Sequence, residues 1–321
     1  MTEDEIKSHK RVFSRISLAL FIYWVLAELV AFASAHIIVR IDTSLLLDPN
    51  FTMILGAAIQ YVIAFPIFYV IIRRVSRSAP KKVKLSTLQM IGVLLVGMLF
   101  MYVGNSISTS LMMNIEAFLG HEVENGISSM MSETNVLLSA LIVGLIGPIV
   151  EEIMFRKLLL DRLAPYGNVT AIIFTSLVFG LFHGNFYQLF YAFALGMIFA
   201  YVYLKTGKII YTIIMHVFIN MFCGVLPSII TAMLSEGDMT SPEYVLDNML
   251  PITLLMLYNL VVVGMSIAGA VIFIKRIRKI KLSRGEVSLP KGRGAEVVLF
   301  NVGTILLVGL SVVMIILNTF Y

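Results

Sequence analysis

Apolar residues fall into nine runs separated by short polar stretches: 16–39, 51–72, 87–112, 135–160, 169–186, 187–204, 209–234, 249–274 and 296–320. A helix needs about 20 consecutive apolar residues to cross a bilayer. The runs therefore predict an all-α polytopic membrane protein with about nine transmembrane helices. The fifth and sixth runs are almost continuous, so the turn near Gly184-Asn185 is expected to be short. Nothing marks a domain boundary. Residues 1–321 read as one membrane domain, with a chemistry-bearing core at about 130–225 and flanking helices on both sides. No internal repeat stands out, which argues against the repeat-built transporter folds.

Composition agrees with this pattern. Of 321 residues, 59% are hydrophobic and 13% charged, and the mean hydropathy is +0.94. These values exclude a soluble globular domain. The single cysteine, Cys223, lies in an apolar run, so the chain has no internal disulfide and no cysteine metal site. The formal charge is +5, carried by loops between apolar runs. That distribution points to a lipid-facing polybasic surface and away from nucleic acid.

Charge also orients the chain. With the N-terminus cytoplasmic, nine crossings put every Lys and Arg except Arg40 inside or at inner helix ends, chiefly in Arg73 to Lys84 and Lys275 to Arg293. The outer stretches 114–134 and 236–248 hold no Lys or Arg. They carry Glu116, Glu122, Glu124, Glu133, Glu236, Asp238, Glu243 and Asp247 instead. The C-terminus is then outside. Residues 1–35 imitate a signal peptide, but their long apolar run and Glu28 within it favour an uncleaved first span.

Against this background, Glu151, Glu152 and Arg156 stand out inside the fourth run. Each charge at membrane depth costs roughly 2.5–3.5 kcal/mol on insertion scales. Glu152 and Arg156 are four residues apart and can pair on one helix face. Glu151 points about 100° away with no local partner, and an unpaired buried carboxylate is costly. Pro148 lacks an N–H and crowds the carbonyl of Gly144, so a kink and a freed Gly144 carbonyl are expected beside Glu151.

Further along, Phe179-Gly180-Leu181-Phe182-His183-Gly184 places His183 beside small residues that let helices approach closely, against span four or span seven. His216 and Asn220 share one face of span seven. Counting ~1.5 Å per residue from the inner helix ends puts Glu151 roughly 16 Å deep, His183 about 22 Å, His216 about 12 Å and Asn220 about 18 Å. All four fall in one slab around mid-membrane. Taken singly, each has a plainer reading: a packing histidine, an interhelical amide, an ordinary membrane proline. Glu28, Gln60 and Asn105 are expected to make structural bonds. The segment His121-Glu122-Val123-Glu124-Asn125 lacks the His-Glu-x-x-His spacing of a zinc protease helix. The basic linkers read as solvated, lipid-apposed loops.

Three motifs now align in order and spacing: Glu151-Glu152-x-x-x-Arg156, Phe179-x-x-x-His183 and His216-x-x-x-Asn220. Over roughly residues 130–225 the chain resembles the CAAX protease and bacteriocin-processing family, also called CPBP or Abi, which includes the type II CAAX prenyl proteases. The resemblance implies an intramembrane endopeptidase in the plasma membrane if the cell is bacterial, with its site open toward the cytoplasm. Its substrate would be a membrane-associated or prenylated protein or peptide. By the same resemblance Glu151 activates water, while His183, His216 and Asn220 position it and stabilise the oxyanion. Glu152 and Arg156 read as supporting residues.

Metal use stays open. Glu151, His183 and His216 could hold Zn²⁺ and leave a position for water. A site without tightly bound metal is favoured, because Arg156 is expected to occupy Glu152 and so deprive a histidine of its orienting carboxylate. Two other classes fit the same residues, namely a non-catalytic membrane scaffold and a proton-coupled transporter.

Overall fold

The computed structural model describes residues 2–320 apart from 236, 239, 240 and 291. Glu236 and Lys291, counted above in the charge pattern, lie outside the described residues. All nine apolar runs form helices, and no strand occurs among the described residues. Eight of the helices are long and apolar enough to cross a membrane. They are α1 (Glu3–Ile41), α2 (Pro49–Ile72), α3 (Thr87–Leu119), α4 (Val136–Tyr166), α6 (Phe186–Thr206), α7 (Ile209–Thr231), α8 (Met249–Lys279) and α9 (Val302–Phe320). Between α4 and α6 lies α5 (Asn168–Leu181), an apolar helix of 14 residues.

The expected fifth crossing is thus shorter than a full span, about 21 Å against a hydrocarbon core of ~30 Å. It stops because Gly184 takes a left-handed φ of 65° and Asn185 begins the next helix, its side chain accepting from the Gln188 N–H. The direction of the chain is nevertheless the one expected. At the start of α5 the Asn168 N–H donates to Ser283 O, and at the end of α6 Thr206 O accepts from Val83 N–H. Both partners lie in basic linkers, so the α5–α6 pair leaves the basic end and returns to it.

Local sequence explains the helix limits. Thr2 with Glu5, and Ser86 with Gln89, form reciprocal capping boxes on α1 and α3. Gly120 closes α3 in the left-handed conformation. Within the membrane, three wide π-helical turns each precede a proline: Ile59–Ala64 before Pro66, Ala140–Ile146 before Pro148, and Asn220–Val225 before Pro227. A proline ring clashes with the carbonyl four residues back and offers it no N–H. The wider turn accommodates both defects, and such bulges frequently sit at functional sites.

Packing runs through neighbouring pairs: α5 on α6, α6 on α3, α3 on α8, and α1 on α9. Gly104 of α3 lies directly against the α6 backbone, where an added Cβ would stand 2.5 Å from Tyr191 Cα. Buried Phe13, Leu20, Phe155, Phe174 and Phe179 belong to one continuous core that joins α1, α4 and α5.

The basic linkers differ from the solvated loops expected. Their side chains are largely exposed, but their backbones are tied to the core. Ser78 N–H donates to Asp161 O at 2.6 Å, and Val287 N–H to Pro165 O at 2.9 Å. Ser283 Oγ donates to Asn168 Oδ1 at 2.8 Å, and Leu85 N–H to the Tyr211 hydroxyl at 3.0 Å. Arg293 pairs with Glu3 and Glu296, and Lys10 with Glu296, fastening α1 to the last linker. Gln60 and Asn105, expected to bond between helices, lie on exposed faces. Glu28 accepts from Trp24 Nε1 of its own helix at 3.1 Å.

Gly104→Ala should lower thermal stability in detergent by about 1–3 kcal/mol, because the new methyl meets backbone that cannot yield. Gly92→Ala, which meets nothing within 4 Å, should be neutral or slightly stabilising. Equal melting temperatures for the two variants would contradict the tight α3–α6 contact.

Candidate functional site

The site grows from the broken helix α4. In a π turn each N–H bonds the carbonyl five residues back, so Pro148 leaves Val143 O without its partner. Asn220 Nδ2 supplies that partner at 2.9 Å. The freed carbonyl is therefore that of Val143 and not of Gly144, because the π register shifts the ladder by one. One amide N–H of Asn220 is thereby committed to holding α7 against α4.

Glu152 and Arg156 are both fully buried, with Arg156 Nε 3.1 Å from Glu152 Oε2. The guanidinium is out of line for a hydrogen bond. It lies instead over the Phe179 ring at 4.8 Å and the Phe199 ring at 5.6 Å. Glu152 also serves a second partner: its Oε1 accepts from His216 Nδ1 at 3.0 Å. Arg156 thus does not exclude Glu152 from orienting a histidine, contrary to the expectation from sequence. A carboxylate has two oxygens, and the two helices approach from different sides.

With Nδ1 held by Glu152, His216 turns Nε2 toward Glu151, 3.7 Å from Oε2. This separation is too long for a direct hydrogen bond, and Oε2 is buried without any hydrogen-bond partner. His183 is anchored in the same fashion, its Nδ1 donating to Phe179 O at 2.7 Å and leaving Nε2 as an acceptor. Glu151 and His216 both lie within electrostatic reach of His183. Glu151, His183 and His216 therefore come together, while Asn220 is fixed at the edge of the group by its bond to α4.

The small-residue motif acts differently from expectation. Gly180 backs onto α6, where an added Cβ would stand 2.8 Å from Leu189 O, and not onto span four or seven. Three phenols missed by sequence reasoning, those of Tyr23, Tyr61 and Tyr191, lie within electrostatic reach of Glu151. They sit in apolar runs with no motif around them, so no sequence signal marked them.

The two imidazoles are each oriented through Nδ1, as metal-binding histidines are. Among the described residues no group of three or more His, Cys, Asp and Glu stands close enough to hold one.

A cavity of about 620 Å³ has His183 in its wall. It is lined also by Glu122, Glu124, Asn185, Gln188 and Asn318. Tyr187 fastens the loop above it, its hydroxyl shared between Glu116 Oε1 at 2.9 Å and Val123 O at 2.8 Å. Asn318 Nδ2 donates to Gly184 O at 3.0 Å. The cavity lies at the acidic-loop end of the bundle.

Comparison with known proteins singles out the same segment. Residues 133–222 match the family model described as Type II CAAX prenyl endopeptidase Rce1-like. The chain is 32% identical over 105 residues to the Putative membrane peptidase YdiL of Bacillus subtilis (strain 168), covering 32% of this chain and 43% of that protein. The match thus spans less than half of the relative's length. No solved structure matches the chain.

Arg156→Ala leaves Glu152 buried without a counter-charge, which costs about 3–5 kcal/mol. Its melting temperature in detergent should fall well below that of the wild type. An Arg156→Ala protein of unchanged stability would show that Glu152 does not depend on this partner.

Proposed function

We propose that this chain, whose residues 133–222 belong to the Rce1-like type II CAAX prenyl endopeptidase family, is an intramembrane endopeptidase that uses Glu151 to activate water. The observation that carries the reading is the Glu151 carboxylate, with a buried, unpartnered Oε2 facing His216 Nε2. An anion is left without a partner at membrane depth only at a cost, and a water between Glu151 and His216 would meet both groups.

In this reading Glu151 takes a proton from that water as oxygen attacks the scissile carbonyl carbon. His183, its Nδ1 donating to Phe179 O, accepts a hydrogen bond through Nε2 from the O–H that the water keeps, and so aims the water's lone pair. His216, aligned by Glu152 through Nδ1, turns Nε2 toward the tetrahedral oxyanion. Asn220 contributes its remaining amide N–H, the first being bound to Val143. As the C–N bond breaks, Glu151 returns its proton to the leaving amine. Glu152 and Arg156 touch neither water nor peptide; they fix the tautomer and direction of His216. All steps of this reading use groups of the chain.

Glu151→Gln keeps size and shape but removes the base. Turnover should fall by at least ~10² with the melting temperature unchanged. Comparative proteomics of membranes carrying wild type or Glu151→Gln reads the activity as a peptide bond cut only by the wild type. Most of the cleavage surviving in the variant would end the assignment, and pH-driven flux lost in the variant would replace it with a transporter.

The role given to metal has its own test. Exhaustively chelated protein should retain its activity, and elemental analysis should find substoichiometric zinc. Stoichiometric zinc that disappears in His183→Ala would make Glu151 a ligand and remove it as the free base.

A further inference from the structure

We infer that the basic end of the bundle holds a phosphate group between Arg162 and Arg77, that an anionic phospholipid supplies it, and that this site does not depend on the peptidase reading.

Arg162 is buried near the end of α4. Its guanidinium is fixed by two bonds, Nε donating to Ile72 O at 2.9 Å and Nη1 to Leu158 O at 2.7 Å. Both acceptors are backbone carbonyls, which satisfy N–H groups without carrying a full opposite charge. Nη2 is left over: it has no hydrogen bond among the described residues and is not among the atoms closed off from solvent. The carboxylate that acts on Arg162 is its neighbour Asp161, and Asp161 is already matched. Its Oδ2 accepts from Lys157 Nζ at 2.6 Å and its Oδ1 from the Tyr203 hydroxyl at 2.6 Å. A buried cation without a counter-charge of its own is costly, and this one keeps an N–H edge open.

The linker after α2 brings a second cation to the same place. Ser78 N–H donates to Asp161 O at 2.6 Å, which pins the linker to the end of α4. Buried Val75 holds the approach, its N–H donating to Ile72 O at 3.0 Å. Arg77, the residue before Ser78, is exposed and lies within electrostatic reach of both Arg162 and Tyr203. Backbone bonds thus keep two like charges near each other while the adjacent carboxylate is engaged by Lys157. An anion between them replaces repulsion with two attractions, and phosphate oxygens match the N–H forks of guanidinium groups. Depth favours a lipid as the source. Tyr69, Tyr166, Tyr203 and Tyr211 all lie close to helix ends on this side, and phenols gather at the level of the headgroups. Arg73, Arg74, Lys81 and Lys82 on the same linker are exposed and attract anionic lipid in general. The anchored guanidinium of Arg162 is what makes one position among them a built site.

The test titrates the full-length protein in detergent with short-chain phosphatidylglycerol, phosphatidylcholine or inorganic phosphate, read by native mass spectrometry and melting temperature. Phosphatidylglycerol should be retained and should raise the melting temperature, and phosphatidylcholine should bind about tenfold more weakly. Arg77→Gln should weaken phosphatidylglycerol binding about fivefold and leave the melting temperature of the lipid-free protein unchanged. Arg278→Gln, which removes an exposed cation of the other linker, should leave binding as it is. Equal losses in the two variants mean diffuse attraction and overturn the site. Arg162→Lys keeps the charge but not the planar fork and should weaken binding as Arg77→Gln does; should it not fold, the comparison of Arg77→Gln with Arg278→Gln decides. Inorganic phosphate that displaces the lipid and stabilises wild type but not Arg77→Gln would overturn the lipid as the source while keeping the phosphate site. A wild type that retains no phosphatidylglycerol and is not stabilised by phosphate overturns both.

Discussion

The arrangement depends on one buried carboxylate. Glu152 has no exposure to solvent, and its two oxygens face two different helices' chemistry: Arg156 on its own helix and His216 on α7. Bringing an ion pair into a low-dielectric interior gains little net stability over an apolar core. Its value here is geometric. By accepting from Nδ1, Glu152 sets which nitrogen of His216 faces Glu151, and the adjacent Phe179 and Phe199 rings hold the guanidinium that neutralises it. Glu151, one residue earlier in the chain, is left outside this pairing with a free oxygen.

The same economy governs the backbone. A proline in a membrane helix frees a carbonyl where no water is on hand to satisfy it. In α4 the freed group is Val143 O, and it is satisfied by a side chain from another helix, Asn220. The defect therefore becomes a cross-link that positions α7 and so His216, which lies one turn from Asn220. The third element, α5, is brought in by Gly180 against α6 and is cut short at Gly184, which leaves His183 at the end of a helix, in the wall of a cavity, and not in mid-span. Site formation thus uses three irregularities of helical structure: a π turn, a proline and an early helix end.

The contrast between the two ends of the bundle follows from how each linker meets the helices. Linkers rich in Lys and Arg have backbones bonded to α4, α5 and α6, so the segments that carry the basic charge are also tied to the helix ends of that side of the bundle. The acidic connection between α3 and α4 is held by fewer ties, mainly through Tyr187, and a cavity remains beneath it. Charge sign and openness therefore coincide on opposite faces.

Apolar periodicity and length determined the helical class and the nine helical segments, because burial in lipid is a property of each segment alone. The motif residues were legible as well, since charges and imidazoles within apolar runs are costly wherever the runs pack. Tertiary structure decided what depends on partners distant in sequence. The division of Glu152 between Arg156 and His216, the bond from Asn220 to Val143, and the placing of Tyr23, Tyr61 and Tyr191 near Glu151 all join residues from separate helices. The π register also lay beyond the sequence reading, and it moved the freed carbonyl from Gly144 to Val143.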